Sequence, residues 1–216
     1  VPAYHFVPSG YLSYEGVAFE SARGDGYMLT DKAKAATLFA EGMAELGYAA
    51  GDNGLTVEVL NYESATAGLI IEYVVQELDA LFADYGITVN VTTLPFAEKL
   101  AKAEAGEYDI TFAGWGPDYD WPTTYLDMWK VDNGYNEVGY NNPAYDALVS
   151  ATGKTVAEAF ADLQAAEGVL LNDVAILPIY QRAGVSLANP AVKDVYSHLS
   201  GYDFSYKWAY KEAAAE

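Results

Sequence analysis

An α/β fold on a mainly parallel sheet is what this amino-acid sequence predicts, on three observations. Residues 55–60 and 87–92 alternate apolar and polar side chains as half-buried strands do, and 108–112 forms a third strand-like run. Two stretches of helical periodicity, 65–85 and 96–105, separate these runs. The links between them are a few residues long, and strand, helix, strand, helix, strand with short links is the pattern of right-handed crossovers on one sheet.

Taken in order, residues 31–46 place Ala35, Leu38, Phe39, Met43 and Leu46 on one helical face, and Gly47 is a suitable stop. Ser64 is the expected cap of the next helix, which carries Ile70, Tyr73, Val74, Leu78, Leu81, Phe82 and Tyr85 inward and ends at Gly86. The helix at 96–105 turns Leu100 and Ala103 inward. Further on, 123–130 predicts a short helix. Asn142 followed by Pro143 supplies a cap and a first-turn proline for 144–150.

Thr155 and Glu158 have capping-box spacing, ahead of a helix that places Val156, Phe160, Leu163, Leu170 and Val174 inward. Residues 176–180 and 184–187 predict strand pieces that return to the sheet, with Pro178 marking an edge or bulge. The first thirty residues are rich in turn formers, residues 192–210 are aromatic and irregular, and 213–216 has the character of a frayed tail. No internal repeat or low-complexity tract divides the chain.

Composition narrows the function. Over 216 residues, 31 acidic and 11 basic side chains give a formal charge of −20, which argues against nucleic acid, anionic membrane surfaces and phosphate-rich ligands as partners. Half the residues are apolar (52%), enough for a sizeable core, and the 19 tyrosines suit core and sheet packing. The absence of cysteine removes disulfides, thiol nucleophiles and cysteine metal sites, while leaving the compartment open. No apolar run reaches the roughly 18–20 residues of a spanning helix. The start at Val1, without an initiator Met or a basic-then-apolar opening, is expected to lie within a longer protein.

The chemistry concentrates in residues 112–126, where the stretch 115–122 sets three aromatics, two carboxylates and two prolines directly after the third strand. Gly114 and Gly116 are expected to let the backbone leave the sheet edge freely, and Pro117 and Pro122 to hold the loop extended. Trp115, Tyr119 and Trp121 then offer flat apolar surface, and Asp118 and Asp120 offer charge to a cationic group. In parallel sheets ligands sit beyond the carboxyl ends of the strands, which is where this loop departs.

Weighed against ligand binding, Asp118 is also a common turn residue, and Asp120 suits a cap for the helix after Pro122 or plain solvation. Trp115 and Trp121 equally suit core packing. Asp118 and Asp120 as a glycoside-hydrolysing pair lack any third catalytic feature. His5 and His198 are too far apart to form a metal motif, no phosphate loop, dinucleotide fingerprint or nucleophile elbow is present, and no metal or cofactor is expected. Arg23, Gly24 and Asp25 spell an adhesion tripeptide, too short to carry an argument.

The order of the segments Tyr108-Asp109-Ile110, Gly114-Trp115-Gly116-Pro117-Asp118-Tyr119-Asp120-Trp121-Pro122, Tyr140-Asn141-Asn142-Pro143-Ala144-Tyr145-Asp146 and Ala175-Ile176-Leu177-Pro178-Ile179-Tyr180 resembles one lobe of a known family. This is the carboxy-terminal lobe of the extracytoplasmic oligopeptide- and dipeptide-binding proteins of ABC importers, family 5. The resemblance covers most of the chain, and Val7-Pro8-Ser9-Gly10 resembles the stretch entering that lobe from the hinge.

The resemblance implies a periplasmic-binding-protein-like lobe with residues 1–30 as a hinge-proximal entry segment, the last strand near 206–210 returning toward a second lobe absent from this chain. It implies an extracytoplasmic setting in the periplasm or as a cell-surface lipoprotein, an ABC permease as membrane partner, and no chemistry. Asp118 matches the carboxylate that pairs with a peptide's α-ammonium group. The backbone of Gly114, Trp115 and Gly116 would bond an extended peptide as an added strand. Trp115 and Tyr119 would wall the pocket, and Tyr180 and Gln181 are further candidates. Asp120 and Trp121 depart from the usual pattern, and since relatives with this lobe carry nickel complexes or short sugars, a saccharide stacked on Trp121 is the nearest rival.

Overall fold

A computed structural model of the chain describes residues 2–10, 13–14, 16–19, 31–182, 184–198 and 200–212. The adhesion-like tripeptide, most of the entry segment's second half and the tail 213–216 lie outside the described residues. The chain packs as two compact units, one formed by 30–114 and the other by 1–29 together with 115–216.

In the first of these, β3 (Thr56–Tyr62) lies between β4 (Thr88–Leu94) and β5 (Ile110–Thr111), all three parallel. Helix α2 (Ala65–Phe82) links β3 to β4, and α3 (Phe96–Glu104) links β4 to β5, the predicted βαβαβ order. Ahead of them runs α1 (Lys32–Glu45), whose Asp31 side chain accepts the Lys34 N–H as a cap. The Ser64 hydroxyl caps α2 in the same way. A short 3-10 turn, Ala83–Tyr85, extends α2 to Gly86. Glycine is required there: φ is +60°, and a Cβ would lie 2.7 Å from the Asp52 Cα.

The inward faces differ from the predicted ones in part. On α2 the buried positions are Ala67, Ile71 and Phe82, whereas Tyr73 and Leu69 are exposed. Only Met43 of α1 is buried, and Leu38 and Leu46 face outward, with Phe39 ring-packed on Phe82 and Tyr85. A helix lying on a narrow sheet finds little surface to cover, so one edge of each apolar stripe stays exposed. The third strand, expected over 108–112, keeps its ladder only at Ile110–Thr111.

In the other unit, two helices form the core. α5 (Pro143–Val149) and α6 (Val156–Asn172) gather Tyr145, Val149, Phe160, Leu163, Ala166 and Leu170 with Val7, Phe19, Tyr125 and Leu126. Asn142 caps α5 by accepting from Ala144 and Tyr145, with Pro143 at its start, and Thr155 with Glu158 forms the full capping box of α6. Asp173, at the end of α6, accepts from the Tyr140 hydroxyl at 2.6 Å and the Asn142 amide at 2.7 Å, and these bonds hold its carboxyl below the usual range.

Val174 was expected inward. It is exposed and adopts φ +55°, the left-handed position just past a helix end that usually falls to glycine. The strand pieces predicted at 176–180 and 184–187 do not form: Tyr180 makes an isolated antiparallel bridge with Pro2, and Val185 and Leu187 are exposed. Nor is the region after 190 irregular. It forms two short antiparallel pairs, β6 (Val192–Lys193) with β9 (Tyr210–Lys211) and β7 (Tyr196–Ser197) with β8 (Phe204–Ser205). A further pair, β1 (Ser13–Tyr14) with β2 (Val17–Ala18), lies near the start. Among the described residues no helix is long and apolar enough to cross a membrane.

Candidate ligand-binding site

The loop after β5 begins at Phe112 and runs to α4 (Thr123–Leu126), and the boundary between the two packed units falls between Gly114 and Trp115. Gly114 and Gly116 do not have the conformational role expected of them. Neither has positive φ, and a Cβ at either would meet open space. Nothing among the described residues therefore demands glycine at these positions.

Beyond Gly116 the loop is folded onto α4 by two adjacent threonines. The hydroxyl of Thr124, a buried residue, accepts the backbone N–H of Asp118 at 2.9 Å, and the Thr123 hydroxyl pairs with the Tyr119 hydroxyl at 3.0 Å. Backbone bonds from Trp121 N–H to the Tyr119 carbonyl and from Thr124 N–H to the Trp121 carbonyl tighten the turn. On the preceding residue, the Pro117 carbonyl accepts from Gly201 N–H at 2.8 Å. Asp118 and Asp120 are exposed. The start of α4 has no side-chain cap, so Asp120 is solvated and does not cap that helix.

The aromatic residues divide. Tyr119 is half exposed. Trp121 packs on the core, its ring centroid 5.2 Å from Phe160 and 6.0 Å from Tyr14, and so takes the core-packing role. Trp115 also rests against this core and lies edge-on to Tyr135 at 5.0 Å, while its buried Nε1 has no hydrogen-bond partner among the described residues. Tyr180 is held by the Pro2 bridge and by the bond from Ala3 N–H to the Ile179 carbonyl next to it, and Gln181 follows it directly. The structure thus brings Trp115, Gly116, Asp118, Tyr119 and Trp121 together on one loop, with Gly114 just across the boundary.

Three residues that periodicity and motif did not single out shape this unit. Thr124 and Gly201 hold the loop backbone, and Glu167, buried on α6, accepts the Val7 N–H at 2.7 Å with His5 Nδ1 3.8 Å away. The His5 side chain is largely buried, and its Nδ1 has no hydrogen-bond partner among the described residues. Among the described residues no cluster of three or more acidic, histidine or cysteine side chains could hold a metal.

Comparison with known proteins gives a consistent picture. Residues 1–137 match the family model described as the middle part of bacterial extracellular solute-binding proteins, family 5. A dipeptide-binding protein of Lactococcus lactis is 31% identical over 193 residues, covering 83% of this chain and 33% of the relative. The substrate-binding domain of an oligopeptide ABC transporter from Bacillus anthracis superposes with a TM-score of 0.82 at 33% identity, covering 99% of this chain and 41% of that one. Listeria monocytogenes OppA bound to peptide superposes with a TM-score of 0.81 at 28% identity, covering 99% of this chain and 40% of that one. The chain spans between a third and about two-fifths of the length of these relatives.

Proposed function

Since this chain belongs to the bacterial extracellular solute-binding proteins of family 5, we propose that its 216 residues form one ligand-binding lobe of a peptide-binding protein that serves an ABC importer. A peptide is enclosed between this lobe and a second lobe carried elsewhere in the longer protein. The lobe binds and releases, with no bond chemistry. The setting is extracytoplasmic, and the membrane partner is an ABC permease. The names of the relatives, a dipeptide-binding protein and an OppA bound to peptide, support this assignment.

Asp118 pairs with the peptide's α-ammonium group, in a charge-assisted hydrogen bond worth about 1.5–3 kcal/mol. The observation that carries this role is the division of labour at Asp118: its backbone N–H is committed to Thr124 while its side chain is exposed. The backbone of Gly114, Trp115 and Gly116 bonds the peptide as an added strand, which needs close approach without side-chain obstruction. Two glycines that face open space suit that use. Trp115 and Tyr119 wall the pocket, and Tyr180 and Gln181 complete its edge.

A saccharide-binding or metal-complex-binding relative draws less support, because Trp121 spends ring surface on Phe160 and Tyr14. Calorimetry on the full-length protein with a peptide library, alongside cello- and xylo-oligosaccharides, tests the assignment. Peptide binding with no saccharide heat is expected, and saccharide binding without peptide binding contradicts it.

A further inference from the structure

Both polar groups of the peptide bond between Pro117 and Asp118 are held by other parts of the same packed unit. The Asp118 N–H is donated to the Thr124 hydroxyl at 2.9 Å, and the Pro117 carbonyl accepts the Gly201 N–H at 2.8 Å. Thr124 is buried at the start of α4, while Gly201 sits between β7 and β8 at φ +71°. A Cβ on Gly201 would stand 3.8 Å from the Asp118 carbonyl oxygen, so this glycine runs close alongside the loop.

We propose that Thr124 and Gly201 are positioning residues that fix the plane of the Pro117–Asp118 peptide, and with it the direction in which the Asp118 carboxylate is presented to a cationic ligand group. Pro117 fixes its own φ, so its ψ and the φ of Asp118 are the soft torsions next to that plane. Bonding the carbonyl from one side and the N–H from the other limits both. The Asp118 side chain departs from the Cα at the edge of this plane and inherits its orientation.

Pre-organisation of this kind raises affinity, because the ordering cost is met in folding and not on binding. It also sets specificity along the loop. With the Pro117 carbonyl and the Asp118 N–H already satisfied, strand-like bonding to a ligand stops at Gly116, and the next contact is the carboxylate itself. A ligand whose cationic group lies at the end of an extended segment fits this order.

The inference rests on the reading of Asp118 as the ammonium-binding carboxylate, and its test separates the two. On the full-length protein, calorimetry with a free-amine peptide is expected to show Thr124→Val, which removes the acceptor at nearly constant volume, weakening affinity roughly three- to tenfold. Affinity for the same peptide N-acetylated stays unchanged, and Thr124→Ser, which keeps the hydroxyl, restores free-amine binding. Gly201→Ala, strained by its positive φ, weakens free-amine binding in the same selective way.

Hydrogen exchange supplies a readout that needs no ligand: the Asp118 amide is expected to be protected in the wild type and in Thr124→Ser, and to exchange faster in Thr124→Val. If Asp118→Asn weakens free-amine binding while Thr124→Val does not, the positioning role is overturned and the reading of Asp118 stands. If Asp118→Asn has no effect, both fall. An Asp118 amide equally protected in wild type and Thr124→Val overturns the clamp itself.

Discussion

Glu167 Oε1 accepts the backbone N–H of Val7 at 2.7 Å, a buried bond across 160 positions of sequence. It ties residues near the start of the chain to the middle of α6, among the side chains of the core that Val7 and Leu170 share. A carboxylate placed this deep needs hydrogen-bond donors around it, and the Val7 N–H is one of them.

Removing it is therefore costly. Glu167→Ala removes the acceptor of this Val7 N–H bond and opens a cavity beside Leu163 and Leu170, with an expected loss of about 2–4 kcal/mol. Glu167→Gln, which keeps an acceptor oxygen and the volume, is expected to cost less than half as much. Urea unfolding followed by tryptophan fluorescence measures both, and equal losses in the two variants contradict the role given to the acceptor.

Tyr145 is fully buried and donates its hydroxyl to the Leu126 carbonyl, and burial pushes its phenol well above the ordinary tyrosine range. In the unfolded chain the same phenol ionises near pH 10. A raised folded pKa means this contribution to stability is complete below about pH 10 and is lost as pH rises above it, at up to about 1.4 kcal/mol per pH unit. Tyr145→Phe is expected to cost about 1–2 kcal/mol at pH 7 and to flatten this alkaline decline. Denaturant melts between pH 8 and pH 11 check the slope.

Val174 holds φ +55° with its side chain exposed, so the strain of a β-branched residue in the left-handed region is offset by little packing. Val174→Gly is expected to raise stability by about 1 kcal/mol, visible as a higher melting temperature. A decrease would mean that the Val174 side chain contributes more than its conformation costs.

The sequence and the structure agree best where the determinants are local. Ser64, Asn142 and Thr155 each cap the helix assigned to them, because capping depends on residues within one turn. The parallel βαβαβ order also follows from periodicity and short links. What depended on neighbours distant in sequence was not legible. Periodicity placed Val174 inward because it continues the α6 stripe, but the helix ends at Asn172 and the chain turns away. Residues 176–180 have strand composition, yet among the described residues they pair only through the Pro2 bridge and the Ala3–Ile179 backbone bond, since composition sets propensity and pairing sets structure.

At the site, the aromatic and acidic composition of the loop was visible, but not the division of its tryptophans or the hold of α4 upon it. The Thr123–Thr124 pair directly after Pro122 was the available signal, as hydroxyls at a helix start commonly bond nearby backbone. Gly201 and Glu167 had none, because their partners lie 84 and 160 residues away, as the Gly201–Pro117 and Glu167–Val7 bonds show.

The central claim is that Asp118 meets a peptide's α-ammonium group, and calorimetry of Asp118→Asn in the full-length protein tests it most directly. A free-amine peptide is expected to lose about ten- to a hundredfold in affinity, while its N-acetylated form binds wild type and variant alike. Equal affinity of wild type and Asp118→Asn for the free-amine peptide contradicts the claim.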